Sequence, residues 1–436
     1  MKTLGTSLIL SRVYDDYKPF LYFFSLFLPI FLSFPIILIF LSRVYQQQQQ
    51  QQQQKRTAAT SPPPSPRTPP ASPSFTMHAP IPKTQTAIIA ADEEGTLRIS
   101  HDVPVIDLEP DSVLVKTAAL ALNPVDSKMA KGFAVPDAIL GFDFAGVVVA
   151  IGTGVTRKDL KVGDRVLGTA DSMDRKRPSG GGFCQYASTV ATQALRLPDD
   201  MSFTDAACIG TSLSSAGIAL FRSMKLPGSL TAPNTAANPP YVLVNGGSTS
   251  TGTMALQLLK LAGFRPIATC SPSHEELVLS YGAEKTFDYR SADCAKDIKA
   301  YTKNALAYAI DCITVTSSMK LCYEAIGRAG GRYTALDPYP EAQATRRVVK
   351  PDWILGSTVK GRGSTWTAPY GRDADPDARI FADELYAGAQ KHLLEGNLKN
   401  HPAKVMSGGF PGILEGLEMI RRKEVSGFKL VYEVEQ

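Results

Sequence analysis

The run Val242-Leu243-Val244-Asn245-Gly246-Gly247-Ser248-Thr249-Ser250-Thr251-Gly252 reads as strand, glycine turn and helix start. Such a unit aims backbone N–H groups and the positive end of a helix at one point, which suits a pyrophosphate. Gly247 is expected to make the tight turn, and Gly252 to let the helix approach the strand. Thr249 stands where the strict G-x-G-x-x-G pattern has its middle glycine. An ordinary strand-to-helix turn would look the same taken alone. The next strand ends Thr269-Cys270-Ser271-Pro272-Ser273-His274. An NAD site wants a carboxylate at that tip for the ribose 2′-OH. None stands there, since Glu275 and Glu276 come after it. Hydroxyls plus His274 suit a 2′-phosphate, so the sequence favours NADPH. Tyr289, past the following strand, could stack on or hydrogen-bond the adenosine; a half-buried core tyrosine is the plain alternative.

The elements around this loop change character along the chain. Short strands are expected at 86–90, 111–121 and 144–151. A turn and strand follow at 162–166, and a strand restarts at 180–187 after glycines. Many short strands with Gly/Pro punctuation predict a small β-barrel-like domain. Residues 203–221 are helical in character, and 227–240 form a Pro/Ala/Asn/Thr-rich insert expected on the surface. Strands at 241–245, 266–270, 285–288, 307–310 and 331–336 then alternate with helices at 253–263, 274–282 and 319–326. This alternation predicts a parallel, doubly wound α/β sheet. A helix at 378–396 and a strand at 427–434 close the chain. The expected domain limits are 77–200, 201–350 and 351–436, the last returning to the first domain.

Residues 1–76 are a different kind of sequence. Positions 20–41 are uncharged and long enough to span a bilayer, although Pro29 and Pro35 interrupt them. A polyglutamine tract at 46–54 and a Pro/Ser/Thr-rich stretch at 57–73 lack the apolar residues to fold. We expect this leader to be dispensable, with a soluble cytoplasmic enzyme starting near Met77. The alternative is a membrane anchor at 20–41 with a flexible tether.

The leader also holds the whole net charge of +5, because the remaining 360 residues carry 39 basic and 39 acidic side chains. The body has no electrostatic footprint for nucleic acid. Six cysteines without a CxxC pair argue against a disulfide scaffold or zinc ribbon.

The order barrel, dinucleotide fold, barrel resembles the medium-chain dehydrogenase/reductase superfamily. The words that carry it are Asn123-Pro124-Val125-Asp126-Ser127-Lys128, Gly141-Phe142-Asp143-Phe144-Ala145-Gly146, Val162-Gly163-Asp164-Arg165-Val166 and the loop from Asn245 to Gly252. The resemblance implies a GroES-like β-barrel catalytic domain joined to a Rossmann-type domain. Its zinc branch has Cys where Asn123 stands and Gly-His-Glu where Gly141-Phe142-Asp143 stands. The resemblance therefore points to the zinc-free branch and no metal. Within that branch the chain is similar to the trans-acting enoyl reductases of fungal polyketide synthases, through Thr211-Ser212-Leu213-Ser214-Ser215-Ala216-Gly217 and Ser271-Pro272-Ser273-His274 among others.

That likeness implies NADPH-dependent reduction of an α,β-unsaturated thioester. The thioester would ride on an acyl carrier protein of a highly reducing polyketide synthase, with or without a fused nonribosomal peptide synthetase. Lys128 becomes the candidate catalytic residue, a ribose contact or an enolate-stabilising cation. Val125, Asp126, Ser127, Leu336, Asp337, Val425 and Ser426 are implied cofactor contacts, the last two at the nicotinamide end. The substrate would meet Thr211, Ser212, Leu213, Ser214, Ser215, Ala216, Gly217 and Ile218, and also Ser357, Thr358, Val359, Lys360 and Gly361. Arg175-Lys176-Arg177 could dock the acidic carrier protein or be a solvated loop. Two alternatives stay open: a quinone or small-enone reductase, and a non-catalytic NADPH-binding partner protein.

Overall fold

The computed structural model describes residues 80–434. The leader, with its apolar run at 20–41, lies outside them. Among the described residues no helix is long and apolar enough to cross a membrane.

The chain opens with β1 (Thr84–Ala90) and β2 (Leu97–Pro104), an antiparallel pair. Then come β3 (Ser112–Ala121), α1 (Pro124–Gly132), β4 (Asp143–Ile151), β5 (Arg165–Thr169), β6 (Tyr186–Val190) and β7 (Leu195–Arg196). Two helices follow, α2 (Phe203–Ala206) and α3 (Gly210–Gly217), the second running on into a wide π-turn.

The next stretch alternates. β8 (Tyr241–Asn245), α4 (Ser250–Leu261), β9 (Arg265–Cys270), α5 (Glu275–Ser280), β10 (Lys285–Asp288), α6 (Cys294–Tyr301), β11 (Tyr308–Asp311), α7 (Thr316–Ala325), β12 (Gly331–Ala335) and β13 (Val349–Trp353) build one sheet and its covering helices. The strands are all parallel, in the order β10-β9-β8-β11-β12-β13. β8 is a run of apolar residues because helices cover both faces, so strict alternation is not required. Strand order reverses between β8 and β11, which opens a crevice at the carboxyl ends of those strands.

The tail returns through α8 (Pro376–Leu394), β14 (Ala403–Met406), α9 (Gly409–Arg421) and β15 (Lys429–Glu433). β15 pairs antiparallel with the end of β3 at Ala119–Ala121 and so joins the sheet β14-β15-β3-β4-β5-β7, while β6 pairs with Ser112–Lys116 of β3.

The expected α/β architecture of barrel plus doubly wound sheet is what the chain forms. Some details differ. α4 starts at Ser250 rather than 253, because the Thr249 side chain accepts a hydrogen bond from the Gly252 N–H and caps the helix earlier. The glycines at 180–182 form a turn, and the strand starts only at Tyr186. β13 straddles the expected limit at 350, and its Pro351 and Asp352 hid a strand at the sheet edge. β2, α1, β7, α6, β14 and α9 were not anticipated. The insert at 227–240 is largely exposed, as expected, with Leu230 buried as its anchor.

Candidate active site

Two cavities lie in the crevice and share Asn123, Pro124, Thr249, Ser250 and Ile313 as walls. The first, about 720 Å³, runs over the tips of β8 and β9 to the segment before β15. The second, about 260 Å³, lies between the glycine loop and the barrel.

The glycine loop does what its sequence suggested, with the roles redistributed. Gly246, at φ +81°, makes the turn expected of Gly247. Gly247 instead packs on β9, where a β-carbon would sit 2.8 Å from the Ala268 side chain. A β-carbon on Gly252 would lie 2.3 Å from the Gly246 carbonyl oxygen, so helix and turn meet only because residue 252 has no side chain. Thr249, in place of a middle glycine, is the cap, and its hydroxyl also donates to the Gly246 carbonyl at 2.8 Å. Ser248, Thr249 and Ser250 face the first cavity; Thr251 faces the second. The Ser250 hydroxyl is buried without a protein partner, at the first turn of α4. A free donor beside a helix N-terminus fits a pyrophosphate.

The β9 tip contributes Ser271 and His274 to the first cavity, while Pro272 and Ser273 point outward. Tyr289 also stands on this wall and is 52% exposed, so it is a surface ring open to a ligand rather than a core tyrosine. Val425 and Ser426 line this same cavity. The Ser426 hydroxyl is 3.0 Å from His274 Nε2. Expected at the nicotinamide end, they stand on the first cavity beside the β9 tip, while Leu336 and Asp337 line the second cavity.

Helix α1 brings Val125 and Lys128 to the second cavity. Asp126 and Ser127, expected as cofactor contacts, do not reach either wall. Helical geometry turns them inward. Asp126 is fully buried and accepts from the Asn123 N–H at 2.6 Å in a capping box. Burial, with Asp143 nearby, pushes its carboxyl up to about 8. Ser127 accepts from Arg421 Nε at 3.1 Å and ties α1 to α9.

Lys128 ion-pairs with Asp337, and Asp337 accepts from the Tyr370 hydroxyl at 2.7 Å through its other oxygen. Tyr370 is wedged edge-on between Phe133 and Trp353, and burial and the neighbouring carboxylate both push its phenol up. Tyr370 was invisible in the sequence, because nothing local links it to residue 128.

The substrate stretches are thinned by helical periodicity. In α3 only Thr211, Ser214 and Ser215 reach the cavity, at the i, i+3, i+4 spacing of one face. Ser212 turns its hydroxyl back on the Ile209 carbonyl at 2.8 Å, and Leu213, Ala216 and Ile218 are core residues. Gly217 meets Leu385 of α8. In the later stretch Ser357 and Lys360 line the cavity, whereas Thr358 caps back to Leu355, Val359 is buried and Gly361 ends the turn at φ +71°. Lys360 is 4% exposed, with Nζ 2.8 Å from Asp171; burial pulls its ammonium below the usual lysine range.

Arg175-Lys176-Arg177 is not a three-cation patch. Arg177 is half-buried and bonded to Asp171 and Asp174, at 3.5 and 3.2 Å. Only Arg175 and Lys176 are exposed.

These features match known proteins over the described region. The family described as alcohol dehydrogenase GroES-like domain matches residues 109–199, and that described as zinc-binding dehydrogenase matches residues 250–361. The trans-enoyl reductase buaC of Petromyces alliaceus is 52% identical over 352 residues, 81% of this chain and 98% of that protein. The trans-enoyl reductase caaB of Aspergillus niger is 51% identical over 361 residues, again 81% and 98%. The chain belongs to the trans-enoyl reductase family, within the medium-chain dehydrogenase/reductase superfamily. Its fold is also that of the CurK enoyl reductase, at TM-score 0.59 and 19% identity over 81% of this chain and 99% of that one. The quinone oxidoreductase of Coxiella burnetii shares it too, at TM-score 0.58 and 19% identity over 81% and 100%.

The name of the second matched family raises the question of zinc. Among the described residues no group of three or more His, Cys, Asp or Glu could hold a metal ion. Asp143, in the Gly-Phe-Asp word, is fully buried and occupied. One oxygen accepts from the Thr211 N–H and hydroxyl at 2.7 and 2.8 Å. The other accepts from Asn123 Nδ2 at 3.0 Å and from the buried Lys429 ammonium. An ammonium on this carboxylate disfavours a metal cation there by like-charge repulsion. Phe142, the next residue back, packs edge-on against Trp366 and offers the cavity wall an apolar ring. The network sets Thr211 on the wall of the second cavity. Lys429 lies 286 residues from Asp143, so sequence order carried no signal for it.

Proposed function

We propose that the crevice reduces the double bond of an α,β-unsaturated polyketide thioester, using NADPH and receiving the thioester on the acyl carrier protein of a partner polyketide synthase. The observation that carries this is the junction of the cavities at Thr249 and Ser250: the acyl pocket opens on the nucleotide loop itself. NADPH is supported over NADH by the walls of the first cavity, which contain no Asp or Glu and do contain Ser271 and His274. Gly246, Ser250 and the N-terminus of α4 would hold the pyrophosphate, and Tyr289 the adenosine. When bound, the nicotinamide supplies a hydride to the β-carbon of the substrate.

The chain's own residues then govern charge. Reduction moves negative charge to the thioester oxygen, a preorganised cation offsets it, and a proton from solvent added at the α-carbon completes the saturated thioester. Of the two lysines on the acyl-pocket wall, Lys360 is buried on Asp171, whereas Lys128 is 58% exposed. Lys128 is therefore assigned to the enolate, with Asp337 and Tyr370 as the groups that aim it. Thr211, Ser214 and Ser215 line the passage with small side chains that leave room for an acyl chain.

The test is NADPH oxidation by the full-length protein, with crotonyl-CoA and with a free quinone measured side by side. Turnover of the thioester alone is the expected outcome. Turnover of the quinone alone overturns the substrate assignment.

A further inference from the structure

We propose that Lys423 supplies the cation that recognises the 2′-phosphate of the dinucleotide, an inference that rests on the NADPH assignment above. Four basic side chains stand on the walls of the first cavity: His274, His401, Lys423 and Lys429. Two are already committed. Lys429 is buried on Asp143, and His401 is 3% exposed with Nδ1 3.0 Å from the Thr253 hydroxyl. His274 shares its Nε2 with Ser426. Lys423 is exposed and forms no ion pair among the described residues. The acid beside it, Glu424, is taken by Arg422 at 2.7 Å. Lys423 is thus the wall residue with a whole positive charge to spare.

Its position matches that task. Lys423 follows α9 in the left-handed conformation, φ +58°, with its N–H on the Ile420 carbonyl at 3.0 Å. That turn sends the chain back toward β15 and lays Val425 and Ser426 along the cavity. Three residues after Lys423, the Ser426 hydroxyl touches His274 at the tip of β9. In dinucleotide folds the tip of the second strand is where the ribose 2′ position is read. Backbone geometry does not call for lysine here, since glycine takes this conformation more readily. A charged side chain on this turn, facing a wall without carboxylates, has the chemistry for a phosphate. The 2′-phosphate subsite would then be shared between the β9 tip and the returning C-terminal segment, with Ser271 and His274 on one side and Lys423 and Ser426 on the other.

The test titrates the full-length protein with 2′,5′-ADP and with 5′-ADP by calorimetry, two probes that differ only in the 2′-phosphate. Wild type is expected to bind 2′,5′-ADP about tenfold or more tighter, the scale of a charge-assisted contact. Lys423→Gly, which suits the left-handed turn, is expected to lose most of that ratio while 5′-ADP binding holds. Lys423→Arg should keep the ratio. If Lys423→Gly keeps it, or weakens both probes equally, the assignment of Lys423 is overturned and the NADPH assignment stands. If wild type itself fails to prefer 2′,5′-ADP, the NADPH assignment falls and this inference falls with it.

Discussion

The nucleotide side of the crevice is assembled from backbone, and the barrel side from buried charge. On the first side Gly246 turns, Gly252 yields space and Thr249 caps, all within one loop. On the second, Asp143 gathers Asn123, Thr211 and Lys429, and Asp337 gathers Lys128 and Tyr370. The lesson is one of tolerance. A backbone site fails when a side chain is added, whereas a charge site fails when one is removed.

That contrast can be broken at several points. Gly252→Val should abolish dinucleotide binding, because its β-carbon alone falls 2.3 Å from the Gly246 oxygen. Fluorescence titration with NADPH checks this, and unchanged affinity would remove the loop from the site. Lys429→Met should cost about 3–5 kcal/mol in denaturant unfolding, the usual penalty for stranding a buried carboxylate. The double variant with Asp143→Asn should recover part of that loss; if it does not, the pair is not the coupled unit described.

Lys128→Ala sharpens the comparison, since its side chain is 58% exposed. Turnover of crotonyl-CoA should fall about 100-fold, while stability changes by less than about 1 kcal/mol. A wild-type rate would remove Lys128 from the chemistry.

The smallest effect is a pH dependence. Burial, helped by Lys429 and His274, pulls His401 down to about 3. The native ring stays neutral where the unfolded ring, with pKa near 6.5, takes a proton. The unfolded chain therefore binds more protons below about pH 6.5, and stability falls as the solution is acidified. The contribution is about 2 kcal/mol between pH 6.5 and 5. His401→Gln should flatten that decline in urea unfolding measured across the range; an unchanged slope would show that other groups set it.

Much of the fold was legible from local pattern. β8 falls where its apolar run placed it, and β10 where the alternation of strand and helix placed it. The insert at 227–240 is an exposed loop, as its composition implied. β13 and β14 were not legible, because edge strands carry prolines and charges that look like loop. Ser248, Thr249, Ser250, Ser271, His274 and Tyr289, singled out by their strand-tip positions, stand together on the first cavity's wall, because strand-tip position is a sequence property. Ser212, Leu213, Asp126 and Ser127 were over-assigned, because a motif does not say which face of its helix meets the cavity.

The chain alone therefore determined its strand–turn–helix units, the nucleotide loop and the absence of a carboxylate at the β9 tip. Those depend on spacings of a few residues, where backbone geometry acts. Only the tertiary structure decided that Lys429 would meet Asp143, that Tyr370 would reach Asp337 and that Lys423 would stand on the wall of the first cavity. The physical reason is that a charge takes its meaning from what surrounds it once water is excluded. Those surroundings are brought together by β15 returning to the barrel sheet, far along the chain from the residues it completes.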